Sequence, residues 1–174
     1  MKFTTGLLTL ALLLCPGAAR AQEEKGGSVE ENAVQTMLLV CVGSLSQGQD
    51  PAALAQQMQY PELPPERVTA FDSHGGHVFR SPRFPEKMLL LIKSDGSCSV
   101  AVRDFDTTQM IKYIETYFGV RSKFKKISET NLDDGVELGF ETQLNADKKG
   151  DMMVSLTDKP IPGRLQGMLS FRTR

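Results

Sequence analysis

The sequence predicts an α+β fold: a helical N-terminal segment followed by an antiparallel β-sheet, with one helix inserted and packed on a face of the sheet. Three observations carry this. Val34, Met37, Leu38, Cys41 and Leu45 recur at helical spacing. Asp95-Gly96 lies between apolar runs at 88–92 and 98–102, a hairpin signal in which both central residues are expected at positive φ. Val136, Leu138, Phe140, Thr142 and Leu144 alternate with Glu137, Gly139, Glu141 and Gln143, the pattern of a strand with one face on a core and one in water.

The chain has 174 residues. It opens with Lys2, an apolar run over 7–14, and Ala19-Arg20-Ala21, the positive, apolar and small-residue layout of a secretory signal over residues 1–21. The run is shorter than the ~20 residues that cross a bilayer. Cys15 suggests a lipid anchor, but Leu14 stands where a lipoprotein signal places a small residue, so cleavage after Ala21 is the expectation. Residues 22–27 form a flexible lead-in, and 28–174 form a single domain of a size that supports one core. No later segment has the length and apolarity of a transmembrane span. The formal net charge of −1 lacks the basic excess of a nucleic-acid binder.

Cys41 and Cys98 remain after cleavage. An exported chain with two cysteines is expected to pair them, since the compartment is oxidising. Two unpaired buried thiols, or a cross-linked dimer, are the alternatives.

In order, Ser28 and Glu31 form a capping box that opens a helix to about residue 46. Asp50-Pro51 starts a second, short helix, with Leu54 and Met58 expected inward. Pro64-Pro65-Glu66 starts a third, with Val68 and Phe71 as contacts. Residues 77–80 begin a strand that Pro82 and Pro85 interrupt, so this region is expected as an edge strand or a loop. The 88–102 hairpin follows. The continuous apolar run of its first strand implies cover on both faces, and Ser99 and Ala101 on its second strand leave room for a helix. Asp106 caps the inserted helix, whose stripe is Met110, Ile111, Ile114 and Phe118, with Gly119 expected to end it in the left-handed conformation. Strands follow over about 122–132, with a bulge near Phe124 and Ile127, then over 136–144, around Met152–Leu156, and through Leu165, Leu169 and Phe171.

Some of these features occur in a familiar order. A cysteine in the first helix is followed by Leu63-Pro64-Pro65-Glu66, then by Asp95-Gly96-Ser97-Cys98-Ser99-Val100. The tail contains Met153-Val154-Ser155-Leu156-Thr157 and Leu165-Gln166-Gly167-Met168-Leu169-Ser170. This arrangement resembles a family of small exported proteins and lipoproteins of Gram-negative bacteria. The resemblance covers most of the mature chain and implies compartment and fold. The family has no established activity, so the resemblance transfers no site.

Candidate chemistry is sparse. His74 and His77, with Asp72 nearby, are the cluster suited to zinc, nickel or copper, although solvated loop histidines are the commoner meaning of such a pattern. Arg121, Lys123 and Lys125 share a strand face that suits anionic lipid heads, a cell-envelope polymer or an acidic partner such as an envelope protein; edge-strand protection by lysine is the plainer explanation. Glu137 and Glu141 share a face, but their neighbours suit solvent better than catalysis. No G-x-S-x-G elbow and no phosphate-cradling glycine loop occurs. The expectation is therefore a non-enzymatic exported, periplasmic binding or accessory domain without a cofactor. The rivals are an envelope hydrolase with an unfamiliar site and a metal-binding protein using His74 and His77.

Overall fold

Ser28 opens the first helix: its Oγ accepts from the Glu31 N–H at 3.3 Å. Residues 27–69, 71, 75–120, 123–159 and 164–174 are described in the computed structural model. The signal over 1–21, Cys15, Asp72, His74, Arg121 and most of the 159–163 loop lie outside these residues. Helical conformation runs unbroken from 29 to 47, as helix α1 (Val29–Thr36), a π-helical stretch (Met37–Gly43) and helix α2 (Ser44–Gln47). Gly48, at φ 69°, ends it in the left-handed region that glycine enters without steric cost.

Asp50 caps helix α3 (Pro51–Gln57) by accepting from the Ala52 N–H at 2.9 Å. Its inward residues are Ala52 and Ala55, whereas Leu54 is partly buried and Met58 is 40 % exposed. The expected inward face is thus corrected: small alanines let α3 lie close to the preceding π-helical stretch, and the larger residues turn outward. Helix α4 (Pro65–Val68) is a single turn with Val68 buried and Phe71, beyond its end, 37 % exposed.

Seven strands form one antiparallel sheet: β1 (Gly76–Arg80), β2 (Met88–Lys93), β3 (Cys98–Val102), β4 (Phe124–Leu132), β5 (Gly135–Gln143), β6 (Lys149–Thr157) and β7 (Gly167–Thr173), in the order β1-β2-β3-β7-β6-β5-β4. The C-terminal strand β7 therefore joins the β1–β3 meander to the β4–β6 meander. In the β2–β3 hairpin Gly96 alone takes positive φ, at 83°, while Asp95 does not. The Lys93 N–H donates to the Ser97 carbonyl at 2.9 Å, closing a three-residue loop rather than the two-residue turn expected. Asp95 accepts from the Ser97 backbone N–H (2.8 Å) and hydroxyl (2.6 Å), and these bonds hold its carboxyl below the ordinary aspartate value.

One face of the sheet carries the main core. Helix α5 (Thr107–Ile114), capped by Asp106, and a π-helical stretch (Glu115–Val120) place Met110, Ile114 and Phe118 on this face. Gly119 lies within that stretch and does not adopt positive φ, so the inserted helix ends by widening rather than by a left-handed cap. Phe118 meets Phe124 edge-on at 5.1 Å and Phe140 at 6.2 Å. Cys41 and Cys98 are joined, with Cα atoms 5.4 Å apart and no solvent exposure, so the first helical rod is bonded to β3. Two buried polar groups complete the docking. The Glu30 carboxylate, 7 % exposed, accepts from the Asp106 N–H at 2.9 Å. The Gln166 side-chain amide brackets Phe105, accepting from its N–H and donating to its carbonyl, both at 3.3 Å.

The opposite face is covered only in part. Val68, Val78, Leu91 and Ala101 form a second, small core there, fringed by Leu63 and Leu89. The single turn of α4 packs against β1 on this face, and its Val68 belongs to the same buried cluster as Ala101. Over β6 and β7 the same face exposes Met153 and Met168. Leu165 precedes β7 and is 42 % exposed, a correction to the expected final strand running through it. The two sheet edges differ. The outer edge of β1 is already paired: the Leu63 N–H donates to the Val78 carbonyl at 2.7 Å and the Arg80 N–H to the Pro61 carbonyl at 2.8 Å. The β4 edge is broken by a register shift between Lys126 and Ser128, the expected bulge at Ile127. Gly135 is needed at the β5 start, where an added Cβ would stand 2.8 Å from the Thr157 Cα.

Candidate ligand-binding cleft

The connection from β1 to β2 shapes a cleft at one end of the sheet. Pro82 and Pro85 lack the N–H that would continue a ladder, so the chain winds into a turn instead. Ser81, fully buried, organises it: its Oγ accepts from the Phe84 N–H at 3.1 Å and the Arg83 N–H at 3.3 Å. Its own N–H donates to the Met88 carbonyl at 3.0 Å, and the Met88 and Lys87 N–H groups return to the Phe84 carbonyl at 3.0 Å. This turn delivers Glu86 between two arginines at strand ends. Its carboxylate oxygens lie 3.6 Å from Arg80 Nη1 on β1 and 3.6 Å from Arg103 Nη2 just beyond β3. Arg103 is fixed by its N–H donating to the Lys87 carbonyl at 2.9 Å and by its Nε donating to the Glu86 carbonyl.

These groups rim a cleft of about 480 Å³ at the open end of the small second core. Leu63, Phe71, Leu89 and Leu165 supply apolar wall, and Arg67 and Arg164 face in from the α4 side and from the approach to β7. The volume lies in the range of small-molecule sites, which combine apolar walls with a few placed polar groups. The electrostatics are one-sided, with five cationic side chains against the carboxylates of Glu66 and Glu86. Glu86 is 73 % exposed and sits 3.6 Å from each guanidinium, so its pairing is a loose surface interaction of about 0–1 kcal/mol. Arg67 and Arg164 make no ion pair among the described residues.

The residues singled out from sequence lie elsewhere. His77, on β1, stacks on Phe79 at 6.1 Å, and its Nδ1 is 2.6 Å from the Glu62 carboxylate. That pair borders a second cleft, whose walls include Leu63, Pro65 and Val68. His74 and Asp72 are outside the described residues, and among the described residues no three histidine, cysteine or acidic side chains are grouped as metal ligands. Lys123 precedes β4 and Lys125 lies on it opposite Glu141, at the far edge of the sheet from β1. Lys126, on the helix side, bonds Glu129 at 2.5 Å and Glu115 at 3.5 Å, and these bonds raise its pKa above the ordinary lysine value. Glu141 is held by Arg174 at 3.0 Å and lines neither of these two clefts.

Sequence reading missed the arginine cleft because its members are scattered from 63 to 165 and meet only when β1, β2 and β3 are aligned. The local signal was the Ser81-Pro82-Arg83-Phe84-Pro85-Glu86 turn between two strands, which marks a structured connection. No helix among the described residues is long and apolar enough to cross a membrane. Compared with protein-family models, characterised proteins and solved structures, the chain matched none.

Proposed function

We propose that this chain is a non-catalytic binding or accessory domain of the periplasm, exported by residues 1–21, and that it holds its ligand in the arginine-rimmed cleft. The observation that carries the reading is the cleft itself: apolar walls, an excess of cationic side chains and no serine, cysteine or histidine in its lining. Such a lining is suited to orienting and retaining a molecule, and it sets no serine, cysteine or histidine against it. The intrachain disulfide supports an oxidising compartment, as do the layout of the first 21 residues and the resemblance to small exported proteins.

Native mass spectrometry of the protein released from the periplasm tests the reading. A co-purifying small molecule is expected on the parent protein and strongly reduced on Arg103→Ala, with the fold checked by circular dichroism. A saturable turnover abolished by changing Glu137, Glu141 or His77 contradicts it and favours the hydrolase.

A further inference from the structure

We infer, on the basis of that reading, that the occupant of the cleft is a monomeric, single-chain amphiphile with a carboxylate head, a fatty-acid-like anion. Three independent features converge on this chemistry. First, the cleft already demonstrates a carboxylate site. Glu86, on an exposed turn, places its two oxygens at equal distance, 3.6 Å, from the Arg80 and Arg103 guanidiniums. The planar donor fork of arginine matches a carboxylate, and a loosely held, 73 % exposed glutamate is readily displaced by an incoming one. Second, Arg67 and Arg164 add positive charge without ion-pair partners among the described residues, so the site has capacity for another anion. Third, apolar surface stands exposed beside these charges: Leu165 is 42 % and Phe71 37 % accessible. An inorganic anion leaves that surface wet, and an uncharged hydrocarbon leaves the guanidiniums unanswered. A molecule with one anionic end and an apolar chain satisfies both.

A peptide carrying a C-terminal carboxylate is the nearest competing occupant. Peptides commonly gain affinity by adding a strand to an open sheet edge. Here the edge beside the cleft is closed, because Leu63 and Pro61 already take the backbone bonds of Val78 and Arg80. The site therefore relies on side chains and volume, which suits a small amphiphile.

The test is calorimetric titration of the folded mature domain with monomeric dodecanoate, using dodecan-1-ol, inorganic phosphate and anionic phospholipid vesicles as the other probes. Dodecanoate binds, and dodecanol binds about tenfold or more weakly, the scale of a charge-assisted hydrogen bond lost. Arg67→Ala and Arg164→Ala, both on exposed side chains, weaken dodecanoate several-fold, whereas Lys125→Ala, which removes the same charge at the far edge, leaves it unchanged. Glu86→Gln tightens binding, because it removes the competing carboxylate; a purely structural role for Glu86 gives no gain. Equal affinity for dodecanol, equal losses in Lys125→Ala, phosphate binding as tight as dodecanoate, or binding to vesicles without binding of the monomer each overturns the inference. If dodecanoate fails while mass spectrometry finds a different molecule that depends on Arg103, the amphiphile is wrong and the binding reading stands. If neither finds a ligand, both fall.

Discussion

Replacing Cys41 or Cys98 with serine lowers the melting temperature of the domain over 28–174 by about 10 °C, and reductant alone does nearly as much to the parent protein. The bridge spans a sequence separation of 57 residues. Closing a loop of that size removes about 4 kcal/mol of unfolded-chain entropy in the loop-closure account, and for a domain of this size each kcal/mol moves the midpoint by about 2–4 °C. The native side adds to the cost. Both sulfurs are fully buried between the first helical rod and β3, so a serine there leaves a hydroxyl among Met37, Val40 and Val100. The bridge also joins the Val29–Gln47 helical rod to an interior strand, β3, which pairs with β2 on one side and β7 on the other. Differential scanning calorimetry with and without reductant reads the effect; equal midpoints contradict it.

Phe118→Ala costs about 3–5 kcal/mol, the range for truncating a fully buried aromatic. Phe118 lies on the π-helical stretch after α5 and is wholly inaccessible. Its ring contacts Phe124 at the start of β4 and Phe140 in the middle of β5, so one side chain ties the inserted helix to both strands of the far hairpin. Truncation loses the transfer free energy, the edge-to-face contact with Phe124 and the packing of β4, whose remaining residues are exposed. Urea denaturation gives the figure. A loss below about 1 kcal/mol would mean that the helix is held mainly by Glu30 and the Gln166–Phe105 pair.

Local chemistry made much of this fold legible. Ser28, Asp50 and Asp106 each cap a helix as their spacing implies, because an N-cap is decided within three residues. The alternation of β5 and the bulge at Ile127 follow from the two-residue period of a strand. Cys41 was legible as a disulfide partner because it falls on the same helical stripe as Val34 and Met37. Errors arose where tertiary contact overrode the local pattern. Met58 faces out because Ala52 and Ala55 allow closer packing on the other side of α3. Gly119 stays out of the left-handed region because Phe118 must reach Phe124 and Phe140 before the chain turns. Asp95-Gly96 keeps one positive φ because Ser97 bonds Asp95 and widens the loop.

The candidate cleft was the least legible. Lys123, Lys125, His77 and Glu141 stood out because they are close in sequence or share a strand face. The cleft is made by Arg67, Arg80, Arg103 and Arg164, no two of them close in sequence, and each ordinary in its own context. Glu30 and Gln166, buried and hydrogen-bonded at a distance, were equally silent, since a polar residue's partner is set by topology that local sequence does not contain.

The central claim, that the cleft between the β1–β2 turn, α4 and the approach to β7 holds the ligand, is tested most directly by amide hydrogen exchange. The domain over 28–174 is compared as isolated and after any co-purifying small molecule is removed. Slower exchange confined to Ser81, Lys87, Leu89, Arg67 and Leu165 in the as-isolated protein is the expected result, with β4 unchanged. Protection centred on Lys125 in β4 or on His77 and its second cleft, with the arginine cleft unaffected, contradicts the account.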